Sequence, residues 1–202
     1  MSSFEEFAPA LTAAKRRQIT IVAVVDITDA EKLLNAWATL EVDSNQSCLV
    51  SLHRVGGAFH LRCAVDAALT RLETGMAKTG SFGTEVAFRL ANSTNIARVV
   101  EMNSATQEST KVAAVFVESP LGDADADAAA AAAAAMATKI AAFEAAAREC
   151  GTLVAAADIA ALTDSDTDLR AALVKEFKLS EKEVQCFALE DCIVNKISIK
   201  DL

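Results

Sequence analysis

The chain has no tyrosine, one tryptophan and two histidines, and aromatic residues make up only 5% of its 202 positions. The core must therefore be mostly aliphatic, and with so little histidine any general acid-base chemistry would rest on carboxylates. There is no phosphate-binding glycine loop, no kinase Gly-rich loop with its lysine, no Gly-x-Ser-x-Gly and no His-Glu-x-x-His. The five cysteines (Cys48, Cys63, Cys150, Cys186, Cys192) are odd in number and include no Cys-x-x-Cys pair; with only His53 and His60 beside them they offer no zinc spacing. They read as reduced, mostly buried thiols of an intracellular protein. Glu5 and Glu6 stand where a secretory signal carries positive charge, and no segment reads as a membrane span. These absences predict a non-enzymatic chain without metal or cofactor.

What is present fits one domain over residues 1–202. The 52% hydrophobic content is inflated by alanine, and the formal charge of −9 argues against a generic nucleic-acid coat. The charge is unevenly spread. Between Arg54 and Arg98 six basic residues face three acids, whereas from Glu101 to Arg170 four face twelve. The middle of the chain is thus locally positive in an acidic protein, which allows a small phosphate contact without demanding one.

Residues 18–27, QITIVAVVDI, form a β-branched run expected of a central strand covered on both faces. Thr28 or Asp29 then caps a helix to about Leu40, with Leu33, Leu34, Trp37 and Leu40 as its stripe and Trp37 in the core. Residues 48–55 read either as a strand or as an irregular lead-in that Gly56-Gly57 breaks. A helix is predicted over 58–73, with His60 capping or packing, and a buried strand over 112–117, stopped by Ser119-Pro120.

Residues 122–150 carry eight consecutive alanines behind an Asp-rich start. They predict a peripheral helical insertion, too short and too interrupted at Lys139 to cross a membrane. Asp123-x-Asp125-x-Asp127 and Asp164-x-Asp166-x-Asp168 open like calcium loops, but Ala128 and Leu169 replace the required glycine, so they read as helix N-caps. Further helices are predicted near 154–162 and 168–177, and Ser180 with Glu183 starts a last one by a capping box. Its stripe is Cys186, Leu189, Ile193 and Ile197, though Ile193 and Ile197 also alternate with Asn195 as in a strand.

The densest signals lie in residues 76–103, MAKTGSFGTEVAFRLANSTNIARVVEMN. Gly80 and Gly83 bracket a loop, residues 85–90 alternate as a strand with Val86, Phe88 and Leu90 on one face, and Ser93 or Thr94 caps a helix with Ile96, Val99 and Val100 buried. This segment resembles the PRPK-binding protein (TPRKB) family. The likeness rests on Lys78, Thr79, Ser81, Phe82, Thr84, Glu85, Leu90, Asn95 and Ile96, on Phe59-His60-Leu61 with the helix behind it, and on the closing NKISIKDL. Ala91-Asn92 replaces a usual Ser-Pro and Asn103-Ser104 a usual Phe-Gly; Asn tolerates the left-handed conformation of a helix end.

The resemblance implies an α/β domain with a small mixed sheet flanked by helices. It also implies a cytoplasmic and nuclear, non-catalytic subunit of the KEOPS complex, which makes threonylcarbamoyl adenosine in tRNA. Its partners would be a small atypical kinase/ATPase and the tRNA 3′ end, with no membrane. Lys78, Thr79, Glu85, Asn95, Ile96 and Arg98 are the candidate tRNA contacts; Leu189, Ile193 and Ile197 are the candidate kinase interface. Two readings stay open beside this: an acidic adaptor that binds the kinase but not RNA, and a C-terminal stripe that merely faces the chain's own core.

Overall fold

A computed structural model describes residues 18–40, 42–118 and 126–198. Its framework is a sheet of β1 (Gln18–Val25), β2 (Ser47–Ser51), β3 (Val112–Glu118) and β4 (Thr152–Val154) in the order β2-β3-β1-β4. β1 and β3 run antiparallel from Gln18↔Glu118 to Val24↔Val112, and β2 and β4 add antiparallel edges. The fold is therefore a single α/β domain, but its sheet is antiparallel and not mixed. The buried run of β1 resembles a parallel strand only because helices cover both faces here too.

Alternation along β3 divides the core. Ala113, Val115 and Val117 join Val50, Leu61, Val65, Phe82 and Val86 on one face, where α2 (Ala58–Glu73) and α3 (Phe82–Arg89) pack. Val112, Ala114 and Phe116 join Leu33, Phe143, Ala147 and Cys150 on the other, under α1 (Ala30–Thr39) and α5 (Ala126–Cys150). Asp29 caps α1 by accepting from the Lys32 amide at 2.9 Å, and Trp37 fills the core with ring centroids 5.5 Å from both Phe116 and Phe143. Gly75, at φ 68, ends α2 in the left-handed conformation that glycine adopts without strain.

The 85–90 stretch is not a strand. Ser81 caps α3, and α4 (Ile96–Asn103) follows after a short turn capped by Asn95, not by Ser93 or Thr94. The last predicted helix is two, α8 (Glu181–Cys186) and α9 (Leu189–Ser198), parted by Phe187, whose backbone is extended. The Ser180–Glu183 capping box is present, and the carboxyl of Glu183 is pulled down to about 2 by the Ser180 N–H first, then by its hydroxyl and Lys196. Ahead of both, α6 (Ile159–Ser165) and α7 (Thr167–Glu176) follow β4, and Asp166, in the second Asp repeat read as helix caps, caps α7. Ser119-Pro120, Asp123, Asp125 and residues 199–202 lie outside the described residues.

α5 is two things in sequence. Residues 130–135 are exposed, whereas Phe143, Ala147 and Cys150 are buried on the sheet. Ala130–Cys150 is long and apolar enough to cross a membrane by length and composition, so the expectation that it is too short is corrected. Its C-terminal half is a core helix here, with Arg148 pairing Glu144 at 3.1 Å on its outer side.

Candidate functional site

The Lys-Thr motif folds into a loop clamped by one carboxylate. Glu85, fully buried in α3, accepts through Oε2 from the backbone N–H of Lys78 and of Thr79, both at 3.0 Å, and from the Thr79 hydroxyl at 2.9 Å. Its Oε1 accepts from Arg89 Nε at 2.8 Å and Nη2 at 2.7 Å, one helical turn on. A buried carboxylate needs such partners, since removing one from a buried pair costs about 3–5 kcal/mol. Arg89 is itself buried and lies over the Phe88 ring at 5.1 Å. Ser81 and Thr84 add a hydroxyl pair at 2.8 Å across the start of α3, while the Thr84 N–H donates to Ser81 Oγ.

Glu85 therefore holds the loop and faces no solvent. Lys78 is exposed and Thr79 half-buried. The other half of the motif sits past the far end of α3. Asn95 Oδ1 accepts from the Arg98 N–H at 3.2 Å, and Ile96, at the start of α4, is 38% exposed instead of buried. Val99 alone of the predicted Ile96–Val99–Val100 stripe is fully buried. Arg98 lines a cleft of about 440 Å³ with Arg54 and Lys175, from elements that the motif does not include. Arg54 in turn pairs with Glu176 of α7. Hydrogen bonds thus join Lys78, Thr79 and Glu85 in one group and Asn95 with Arg98 in a second, beside Ile96, and the rest of α3 separates the two groups along the chain.

Asn103 works differently from a left-handed helix end. Its Nδ2 donates to the carbonyls of Ala87 and Val99, both at 3.1 Å, and so ties the end of α4 to α3. Helix α9 is anchored as closely. Leu189 and Ile193 are buried against Leu173, Phe177 and Leu179, and Ile197 is half-buried at the edge of that cluster. Glu190 Oε1 accepts from the His60 N–H at 2.8 Å, capping α2 from 130 residues away. That contact explains Gly56-Gly57. A Cβ on Gly57 would lie 2.2 Å from the Glu190 carboxylate, and one on Gly56 2.7 Å from Ile193 Cδ1. The large apolar groups left on this side are Phe59 and Phe187, 51% and 65% exposed.

Two residue sets escaped sequence reasoning. Arg89 as the partner of Glu85 follows from i, i+4 spacing once the segment is read as a helix. Arg54 and Lys175 meet Arg98 only in three dimensions, and no spacing announces them. Among the described residues no group of three His, Cys, Asp or Glu side chains comes together that could hold a metal.

A helix-covered antiparallel sheet carries the motif, and the motif residues brace a surface loop. The chain belongs to the family described as kinase binding protein CGI-121, whose family model matches residues 24–201. No curated protein matches it. The family resemblance read from the sequence is thus borne out, and with it the kinase-binding class.

Proposed function

We propose that the chain is a non-catalytic, cytoplasmic and nuclear subunit of the KEOPS complex. It binds and supports the small atypical kinase/ATPase of that complex and recruits tRNA through its 3′ end for threonylcarbamoyl adenosine formation. The observation that carries the RNA half is the Glu85 clamp. By spending both carboxylate oxygens inside the protein, it fixes a loop on which Lys78 is the exposed cation. Past α3, whose eight residues span about 12 Å, Asn95, Ile96 and Arg98 offer a polar group, an apolar surface and a second cation. Single-stranded RNA is bound by such a mixture, with the base faces on apolar surface and the phosphates on cations. Glu85 is a positioning residue in this reading and touches no RNA.

On the kinase side, Leu189 and Ile193 hold α9 in place from within, and the accessible apolar groups nearby are Ile197, Phe187 and Phe59. These are the groups that meet the kinase. The net charge of −9 favours a second reading, an adaptor that binds the kinase and not RNA. Binding of intact tRNA against tRNA trimmed of its 3′ end, repeated with Lys78→Glu, separates them. The first reading expects each change to weaken binding about tenfold, the worth of one charge-assisted contact. Equal binding by both tRNAs and by both proteins, with kinase binding retained, leaves the adaptor.

A further inference from the structure

Among the described residues Lys32, Lys111, Arg148, Arg170 and Lys196 each hold a carboxylate in an ion pair. The cleft of about 440 Å³ beside α4 departs from that pattern. Three cations reach it from three separate stretches: Arg54 from the turn after β2, Arg98 from α4 and Lys175 from α7. The one acid in its lining, Glu176, is taken by Arg54. Arg98 and Lys175 are exposed, and among the described residues neither holds a carboxylate. Three positive charges against one negative leave the lining at +2 in a chain whose net charge is −9. Like charges gathered at one cleft repel, and an anion seated among them relieves the repulsion.

The rest of the lining narrows the anion. Ser93 Oγ accepts from the Asn95 N–H at 3.3 Å and keeps its O–H as a donor, and Asn92 adds an amide. So donor-rich a seat suits a group with several acceptor oxygens. A phosphomonoester carries a charge of about −1.5 to −2 at neutral pH, which matches the lining. Each phosphodiester of a nucleic-acid strand carries one charge and matches it less well. Met102 and Ala172 supply apolar surface. A guanidinium such as that of Arg98 stacks on flat rings, and a thioether such as that of Met102 packs well against them. Asn92, Ser93, Met102 and Arg54 are half-buried and Ala172 is exposed, so the seat is open to a ligand. Its volume lies within the range of small-molecule sites.

We propose that this cleft binds a free nucleoside phosphate, its terminal phosphomonoester among Arg54, Arg98 and Lys175 and its base against Met102 and Ala172. The same cations would serve an RNA phosphate, so where both readings hold the nucleotide competes with RNA. The nucleotide site needs neither the RNA nor the kinase reading and can fail without them.

AMP is the probe, titrated into the full chain while backbone amide NMR signals are followed. Cyclic AMP is the singly charged diester, adenosine the uncharged nucleoside and inorganic phosphate the anion without a base. The expected result is saturable shifts at Ser93, Arg98, Met102 and Lys175 with AMP and none with adenosine. Cyclic AMP and inorganic phosphate bind about fivefold more weakly, each lacking part of the contact. Lys175→Glu, an exchange at an exposed position, leaves the fold intact and weakens AMP about tenfold, the worth of one charge-assisted contact. Absence of saturable shifts, equal binding of AMP and cyclic AMP or of AMP and inorganic phosphate, or unchanged AMP binding by Lys175→Glu would each overturn the proposal. A missing AMP response beside intact tRNA binding would overturn the nucleotide site alone.

Discussion

His60 shows what a single side chain can carry in this fold. Its Nδ1 accepts from the Gly56 N–H at 3.0 Å, its ring meets Phe177 edge-on at 5.7 Å, and its own N–H is held by Glu190. Full burial pushes the imidazole down to about 4, with the Leu90 carbonyl only partly opposing the shift. Its folded pKa is below the unfolded value, so the unfolded chain binds the proton first as pH falls, and stability is lost between about pH 6.5 and about 4. The loss amounts to about 3 kcal/mol. His53, lowered by burial and then by Lys111, adds in the same direction. Carboxylates held low, such as Glu183, act in a separate window below their ordinary value. Urea unfolding midpoints measured across that range should fall with pH in the parent and flatten in His60→Gln. A parent as stable at the acid end as at neutrality would show that the imidazole is not held neutral. The sequence placed His60 near a helix start but could not show its depth, because the groups that bury it, Phe177 and Glu190, are more than a hundred residues away.

At the scale of elements, α3 explains both a misreading and a success. Val86, Phe88 and Leu90 alternate like a strand, yet all six residues from 85 to 90 are buried. A helix enclosed by β2, α2 and α4 has no solvent-facing side: its polar stripe, Glu85 and Arg89 one turn apart, is itself buried, and the three-residue alternation beside it is accidental. The capping chemistry of Ser81 and Thr84 held the information instead. Capping was equally decisive at Ser180, read as such, at Asp29, one of two candidates, and at Asp166, one of three, whereas the break at Phe187 carries neither glycine nor proline and left no mark. α5 was half legible. Alanine forms helix whether or not it is covered, so composition could not separate the exposed early turns from the turns of Phe143, Ala147 and Cys150 that close the core. Replacing residues 123–135 by a short linker should therefore leave a folded chain that binds its kinase, with a thermal midpoint shifted by a few degrees. Phe143→Ala in the same helix should cost about 3–5 kcal/mol. Unfolding of the deletion variant would show that the early turns belong to the core after all.

For the whole molecule the governing quantity is charge and where it sits. With 28 acidic against 19 basic residues, the chain repels a polyanion at long range, so any RNA affinity must come from contacts made within a Debye length. The cations placed to make them are few: Lys78 on the clamped loop, Arg98 at the start of α4, and Arg54 and Lys175 across the cleft, of which Arg54 is already paired with Glu176. Three phosphates neutralised on a single strand correspond to a slope of about −2 for log K against log salt. A protein that coats RNA with a basic face would show a slope several times steeper. Measured on the isolated chain with intact tRNA, the slope should stay near that shallow value and lose about one contact's share in Lys78→Glu. The isolated chain is required because a bound kinase contributes cations of its own. A steep slope would mean that the acidic average conceals a wider binding surface, and that the motif at Lys78 braces the fold without reading the RNA.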